Sequence, residues 1–201
     1  MIAFAAIVPH PPLLLPSVGS EEDRKKVRKT LSALDSLAGR FKKAKPDIIV
    51  ISSPHQDWGF EVPLYFLAGG FKGKVETFMT GFESPREHFE KGRKFFEKLP
   101  KNKRYAFIAS GDLSHCLKKE GSYGFHSDGP KFNRAIQEYL TQKNIDDFLK
   151  LDDAFPEAGE CGLRSFSFIL GALEAARADW QPEILSYEDP FGVGYLAAKL
   201  L

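Results

Sequence analysis

Two segments of this sequence are apolar over consecutive positions, and they restrict the fold more than any other feature. The first is IAFAAIV at residues 2–8, and the second is IIVI within DIIVISS at residues 47–53. A strand with one solvent-exposed face alternates apolar and polar residues, whereas a strand buried on both faces carries a continuous apolar run. The two segments therefore predict central strands of a sheet that is covered by helices on both faces.

The segment between these strands has the features of a long helix, at residues 20–43. Ser20 is a suitable N-cap, acidic residues follow it in the first turn, and lysines stand near the end, which suits the helix dipole. Pro46 then ends the helix before the second strand. The apolar residues recur at three- and four-residue steps and form one stripe: Val27, Leu31, Leu34, Leu37 and Phe41. A strand, a helix and a strand in this order predict a right-handed parallel crossover.

Further elements are predicted along the rest of the chain. Five more β-rich runs lie at residues 63–67, 74–78, 105–109, 183–186 and 192–197, and four more helices at residues 84–99, 130–141, 145–151 and 161–178. We predict one α/β domain over residues 1–201, with a mostly parallel central sheet and helices on both faces. Some antiparallel strands are expected near residues 60–80.

Charge and cysteine content exclude several classes of protein. The chain has 28 Lys and Arg against 27 Asp and Glu, so it lacks the basic excess that is typical of nucleic-acid-binding proteins. No segment approaches the ~20 apolar residues of a membrane-spanning helix. Two cysteines, Cys116 and Cys161, do not make a disulfide framework, so a reducing cytoplasm is the expected location.

Three of the five histidines follow the carboxyl ends of predicted buried strands. His10 follows IAFAAIVP, His55 follows DIIVISSP, and His115 follows YAFIASGDLS. In open α/β sheets, ligands bind in the crevice beyond the carboxyl ends of the strands. The three imidazoles are therefore predicted to meet at one edge of the sheet, although each one alone is better explained as a hydrogen-bonded loop residue.

The other two histidines are less informative. His88 belongs to the helical segment SPREHFEKGRKFFEK, where we expect it on a solvated face among charged residues. His126 lies in the Gly-rich segment GSYGFHSDG, which is either a lid over the site or an irregular connection.

Acidic residues and a cysteine accompany the three histidines. Asp112 precedes His115 by three residues in SGDLSH, and it either fixes an imidazole tautomer or accepts backbone N–H groups in a turn. Glu160 stands where a loop enters an apolar helix, and it either binds a metal or stabilises the helix N-terminus. Neighbours on a helix point about 100° apart, so only one of Glu160 and Cys161 is expected to face the site.

Two histidines and one carboxylate form the facial triad that binds non-haem Fe(II) and leaves positions open for a substrate and O₂. A zinc hydrolase uses similar ligands, and the spacing does not separate these metals. The sequence contains no Walker loop, Rossmann glycine fingerprint or G-x-S-x-G elbow, so nucleotide and serine-hydrolase chemistry have no support.

Five segments in their order along the chain resemble the class III extradiol ring-cleavage dioxygenase superfamily. They are VPHPPLLLP, SSPHQDWGF, SGDLSH, GSYGFHSDGPKFN and AGECGLRSFSFILGAL. The resemblance is to the catalytic-subunit type of protocatechuate 4,5-dioxygenase, in a superfamily that also includes the Memo proteins. It implies a non-haem Fe(II)-dependent enzyme that opens a catechol-type ring with O₂. The alternative is a Memo-like protein that binds a metal or ligand without dioxygenase activity.

The resemblance also implies which residues bind the metal. His10, His55 and Glu160 would be the Fe(II) ligands, and Cys161 would replace Glu160 if the register slides by one residue. Zn²⁺ or another divalent ion is the other candidate for this site.

The remaining site residues are likewise implied by the resemblance. His115 would be the acid/base histidine, and Asp112 matches a position where Memo-like members also carry an acid. A catechol-type molecule and O₂ are the implied partners, and the resemblance is compatible with a homo-oligomer. The residues expected to border the substrate are His126, Pro12, Trp58 and Tyr123.

Overall fold

A mixed sheet runs through the centre of the computed structural model, which describes residues 1–121 and 123–201. Within these residues the sheet has six strands in the order β3-β2-β4-β1-β6-β5. The strands are β1 (Ile2–Val8), β2 (Ile48–Ser53), β3 (Lys74–Met79), β4 (Tyr105–Ser110), β5 (Glu183–Glu188) and β6 (Tyr195–Lys199). The strands β3, β2, β4 and β1 are mutually parallel, whereas β6 is antiparallel to β1 and to β5. The predicted α/β class with a mostly parallel sheet is confirmed.

Helices cover both faces of the sheet. They are α1 (Glu21–Lys26), α2 (Arg28–Ala44), α3 (Trp58–Leu67), α4 (Pro85–Lys98), α5 (Asp128–Gln142), α6 (Ile145–Phe148), α7 (Leu151–Ala154) and α8 (Leu163–Ala175). Side chains of β1 alternate between two hydrophobic clusters: Ala5 and Ile7 pack with α4, α5 and α8, while Ala6 and Val8 pack with α2 and α3. The continuous apolar run in β1 is therefore explained by burial on both faces, as predicted.

Helices α4 and α8 pack against each other at two glycines. A Cβ atom on Gly92 would overlap the backbone carbonyl of Phe168, and one on Gly171 would overlap that of Phe89. The two backbones approach so closely because neither glycine carries a side chain. This contact fixes the position of α8, and the segment just before α8 contributes to the candidate site.

The predicted strand at residues 63–67 is wrong, because these residues form the second half of α3. A short apolar run does not by itself distinguish a strand from a helix. Pro63 has no N–H to donate to the carbonyl of Gly59 four residues earlier. That carbonyl accepts a hydrogen bond from the Ser110 hydroxyl instead. Ser110 lies at the candidate site, so the proline in α3 leaves a carbonyl available there.

Other predicted elements differ in detail. The antiparallel strands lie at the β6–β5 side of the sheet rather than near residues 60–80, where β3 runs parallel to β2. The helix predicted at residues 20–43 is interrupted at Val27, which separates α1 from α2. Helix α8 begins at Leu163, so Glu160 and Cys161 lie in the loop that precedes it.

The expectation that His88 lies on a solvated face is wrong, because this residue is fully buried. Its Nδ1–H donates to the Ser84 carbonyl at 3.0 Å, and its Nε2 accepts from the Gly81 N–H at 3.2 Å. The charged neighbours in the sequence suggested exposure, but the helix turns this position toward Phe78 of the sheet. Across residues 1–121 and 123–201, none of the helices has the length and apolar character needed to cross a membrane.

Candidate metal centre

Three side chains meet at the carboxyl edge of the parallel strands. His10 lies two residues after β1, His55 two residues after β2, and Cys161 two residues before α8. Their ligand atoms all lie within 4.8 Å of one another, and no other such group of three occurs in residues 1–121 and 123–201. Because β1 and β2 both run parallel to β4, their ends reach the same edge of the sheet and bring the two histidines together.

His10 is held in one orientation and one tautomer. The Ser110 hydroxyl donates its hydrogen to the Gly59 carbonyl, so its oxygen accepts the Nδ1–H of His10 at 2.9 Å. The proton of the neutral ring is therefore on Nδ1, and Nε2 carries a free lone pair. His10 Nε2 lies 3.5 Å from Cys161 Sγ, and the rings of His10 and His55 have their centroids 5.1 Å apart.

Burial keeps the two imidazoles neutral. Burial, followed by the charges of His55 and His115, lowers the pKa of His10 from 6.5 to about 3. Burial also lowers the pKa of His55. A histidine must be neutral to bind a metal ion, so both rings are in the required protonation state at pH 7.

Cys161 completes the group of three from the side of α8. Its Sγ accepts the backbone N–H of Asp112 at 3.3 Å, and burial raises the pKa of its thiol well above the usual value. The thiol hydrogen points to His10 Nε2 or to the Asp112 carbonyl, which lies 3.7 Å away. The thiol must lose this proton to act as a ligand, and a cation beside a cysteine favours that loss.

Glu160 points elsewhere, although it is next to Cys161. Its Oε2 accepts the Leu163 N–H at 2.6 Å, and its Oε1 accepts from Arg164 Nη1 at 3.2 Å. Burial raises the pKa of this carboxyl, and the Leu163 N–H and the Arg164 charge oppose that rise. The structure thus brings Cys161, and not Glu160, together with the two histidines.

Asp112 supports the site through its backbone and its side chain. Its carboxylate accepts the backbone N–H of His10 at 3.0 Å, and its carbonyl accepts the N–H groups of Gly162 and Cys161. Burial raises the pKa of Asp112 to about 7, against the effect of the His10 N–H. Asp112 therefore joins the loop of His10 to the loop of Cys161 and makes no side-chain bond to His115 among the described residues.

His115 lies near the group of three, close enough to His10 and His55 to affect their charges. Its Nε2 is buried and has no hydrogen-bond partner within residues 1–121 and 123–201. Burial, and then the charge of His55, lowers the pKa of His115 from 6.5 to about 4. Its ring packs against that of Tyr123 with centroids 4.9 Å apart. This histidine is neutral at pH 7 and is available to exchange a proton.

The four residues predicted to border a substrate differ in their surroundings. Trp58 is 42% exposed with its ring 6.0 Å from that of His55, and Tyr123 is 66% exposed beside His115. Pro12 begins a short 3-10 turn two residues after His10. His126 is exposed, and its Nδ1 accepts the Asp128 N–H at 3.2 Å.

Sequence reasoning missed Ser110, which sets the tautomer of His10. Ser110 is the last residue of β4, the strand that lies between β1 and β2. A polar residue at the carboxyl end of an otherwise apolar strand was the available signal. Its significance depends on Gly59 and Pro63, which approach it only in the folded chain.

Residues 55–198 match the protein family described as the catalytic LigB subunit of aromatic ring-opening dioxygenase. The match includes more than half of the chain, and the chain belongs to this family. His10 precedes the matched segment, whereas His55, His115 and Cys161 lie within it.

Two individual proteins are similar to this chain. Protein CA_C1420 of Clostridium acetobutylicum is 29% identical over an alignment of 268 residues, gaps included. The alignment covers 96% of this chain and 56% of that protein. The chain thus spans little more than half the length of this relative. The crystal structure of uncharacterized protein JW3007 from Escherichia coli K12 has a TM-score of 0.63 at 14% identity and covers 98% of this chain and 99% of that chain. This second likeness supports the fold alone.

Proposed function

We propose that this chain is a metal-dependent member of the ring-opening dioxygenase family, in which His10, His55 and Cys161 bind one divalent ion. The observation that carries the proposal is the convergence of their ligand atoms within 4.8 Å. The neutral state of the two imidazoles and the free lone pair on His10 Nε2 support it. Asp112 and Ser110 would hold the ligands from behind, as outer hydrogen-bond partners do at metal sites.

The donor set differs from the facial triad of two histidines and one carboxylate. Two imidazoles and a thiolate form a softer set, which suits Zn²⁺ and copper as well as Fe(II). Three protein ligands leave coordination positions open for a small molecule. Fe(II) remains the ion that ring opening with O₂ requires in this proposal, and Zn²⁺ is the competing occupant.

The first candidate activity is the opening of a catechol-type ring with O₂, and it rests on the family together with His115. A bound divalent ion would polarise the two oxygens of a catechol and lower their pKa values. His115 is neutral, so its Nε2 accepts a phenolic proton when that nitrogen is the unprotonated one, and returns it later. Trp58 beside His55 and Tyr123 beside His115 would offer aromatic surface to such a substrate.

The second candidate is a Memo-like protein that binds a metal or a small ligand without dioxygenase activity. The specific observation in its favour is Cys161, which stands where the facial triad would have a carboxylate. In both candidates the partners are small molecules, and a homo-oligomer is compatible with either. Both cysteines are free thiols, which agrees with the reducing cytoplasm as the proposed location.

The test is anaerobic loading with Fe(II), followed by measurement of O₂ uptake over a panel of catechols. Binding of one ion per chain with O₂ uptake and a ring-opened product supports the first candidate. Binding of one ion per chain without O₂ uptake on any catechol supports the second. Failure to bind Fe(II), Zn²⁺ and Co²⁺, with the His10→Ala variant behaving like the wild type, contradicts the metal centre itself.

A further inference from the structure

We propose that Glu160 and Arg164 act as a positioning pair, which fixes the loop before α8 so that Cys161 faces His10. This inference deepens the proposed function and rests on it, because Cys161 is a metal ligand only in that proposal. The geometry that carries it involves no bound ion. In this proposal Glu160 orients a ligand residue, Cys161, and does not itself bind the metal.

Glu160 is bound to the first turn of the helix that follows it. Its two carboxylate oxygens accept from the Leu163 N–H and from Arg164 Nη1, and its side chain is only 9% exposed. A carboxylate near a helix N-terminus accepts an N–H that has no partner within the helix and is favoured by the helix dipole. Both of its oxygens are thus engaged at the start of α8, whereas the next residue, Cys161, has its Sγ beside His10 Nε2.

Arg164 extends this contact to two other segments of the chain. Its Nε donates to the Glu83 carbonyl at 2.8 Å, and its Nη2 lies 3.5 Å from Asp152 Oδ2 in α7. One guanidinium therefore joins the start of α8 to α7 and to the loop before α4. Since the Arg164 side chain is 27% exposed, its contribution lies in fixing geometry more than in the strength of one ion pair.

The Cys161 loop is also held from the site side. The carbonyl of Asp112 accepts the N–H groups of Gly162 and Cys161 at 3.0 and 3.4 Å. With Glu160 bound on one side and Asp112 on the other, the backbone at Cys161 has little freedom to rotate. The Sγ atom is consequently kept 3.5 Å from His10 Nε2.

The first experiment measures the position of Cys161 without any metal. In a Cys116→Ser background, where Cys161 is the one remaining thiol, the rate of alkylation by iodoacetamide is measured on the folded protein. We expect Glu160→Ala to raise this rate about tenfold, because a lost charged hydrogen bond favours local opening of the loop. Glu160→Gln removes the same negative charge from beside the thiol but keeps an oxygen for the Leu163 N–H. The excess of the Glu160→Ala rate over the Glu160→Gln rate therefore measures the opening of the loop and not the lost charge.

Glu188→Ala is the matched control, because Glu188 accepts the Thr30 N–H at 2.7 Å in the first turn of α2. This variant loses a comparable carboxylate at a different helix and should change the rate less than about twofold. Equal rates in Glu160→Ala and the wild type, or equal increases in both alanine variants, overturn the proposal. If Glu160→Ala does not fold, Arg164→Lys replaces it, and an unchanged rate in that variant also overturns the proposal.

The second experiment separates this inference from the proposed function. Co²⁺ is titrated into each protein, and the thiolate-to-cobalt charge-transfer absorption is recorded. We expect Glu160→Ala to weaken Co²⁺ binding about 10- to 100-fold and to reduce this absorption, whereas Glu188→Ala preserves both. Absence of the absorption in the wild type contradicts the metal centre but leaves the alkylation result to decide on Glu160. Unchanged affinity and absorption in Glu160→Ala contradict the positioning pair alone.

Discussion

The rings of His10 and His115 lie in the same site but are held in different ways. His10 is 2% exposed, donates from Nδ1 to Ser110 and has Cys161 beside Nε2. His115 is partly exposed, and within the described residues its Nε2 has no partner. Both imidazoles are kept neutral by burial. A fixed ring with a directed lone pair suits a permanent ligand, whereas a ring with a free nitrogen suits proton exchange.

The backbones do not account for this contrast. The N–H of His10 donates to the Asp112 carboxylate, and the N–H of His115 donates to the Gly159 carbonyl at 3.0 Å. Both loops are therefore anchored, and the difference lies in what surrounds each ring. The comparison teaches that the neighbours of a histidine, and not its place after a strand, decide whether its ring suits metal binding or proton transfer.

The largest expected effect is the loss of metal from variants of the ligand group. His10→Ala and His55→Ala should each weaken binding of Fe(II) about 1,000-fold or more, since each removes one of three protein ligands. His115→Ala should retain the ion. Metal content after gel filtration measures the difference, and equal loss of iron in all three variants would refute the distinction between the two kinds of histidine.

A smaller effect is expected on turnover when His115 is replaced by a residue that cannot accept a proton. His115→Gln should lower the rate of catechol-dependent O₂ uptake about 100-fold at unchanged Fe(II) content, as is typical for loss of an acid/base group. Steady-state O₂ electrode measurements on the loaded protein give the rate. A variant with full activity would show that His115 is not the proton acceptor.

The pH dependence of stability sharpens the comparison further. The pKa of His115 is lowered from 6.5 to about 4, so between these pH values the unfolded chain binds a proton there and the folded chain does not. The free energy of unfolding therefore decreases as the pH falls through this range. Between pH 6.5 and 5, the metal-free wild type should lose about 1 to 2 kcal/mol more than His115→Gln.

Urea unfolding at a series of pH values measures this difference. Tyr123→Phe is the control, because it alters the ring beside His115 without removing the imidazole. Parallel curves for the wild type and His115→Gln would mean that the folded chain takes up the proton as readily as the unfolded one.

The smallest expected effect concerns the hydrogen bond that fixes His10. Ser110→Ala removes the acceptor of Nδ1–H and should weaken metal binding about tenfold, within the range for outer partners of metal-bound histidines. Ser167→Ala is a suitable control, since this buried hydroxyl bonds within α8 to the Leu163 carbonyl. Competition with a chelator measures both affinities, and equal values for the two variants would show that the tautomer of His10 is set by other contacts.

Much of the fold was predictable because its signals are local. The continuous apolar runs of β1 and β2 predicted burial on both faces, and Ser20, the predicted N-cap, is an N-cap in the structure. The error at residues 63–67 has the opposite cause. A short apolar run fits a strand or a helix, and the packing of α3 onto the sheet decides between them.

The site was predictable only in part. The histidines at the ends of β1 and β2 followed from the parallel topology, which brings distant strand ends to one edge. The choice between Glu160 and Cys161 did not follow, because adjacent residues are equally close to the edge. His88 was misjudged for a related reason: the charges around it in the sequence do not reveal which side of α4 faces the sheet.

The sequence by itself determined the class of fold and the histidines that gather at one edge of the sheet, since both depend on periodicity and on strand ends. Only the tertiary structure decided that Cys161 faces His10 while Glu160 binds the start of α8, and that the proton of His10 is on Nδ1. These outcomes depend on hydrogen bonds among segments that are distant along the chain, such as Gly59, Ser110 and Asp112. Such bonds have no counterpart in local sequence pattern, because their partners become neighbours only when the sheet and its helices are assembled.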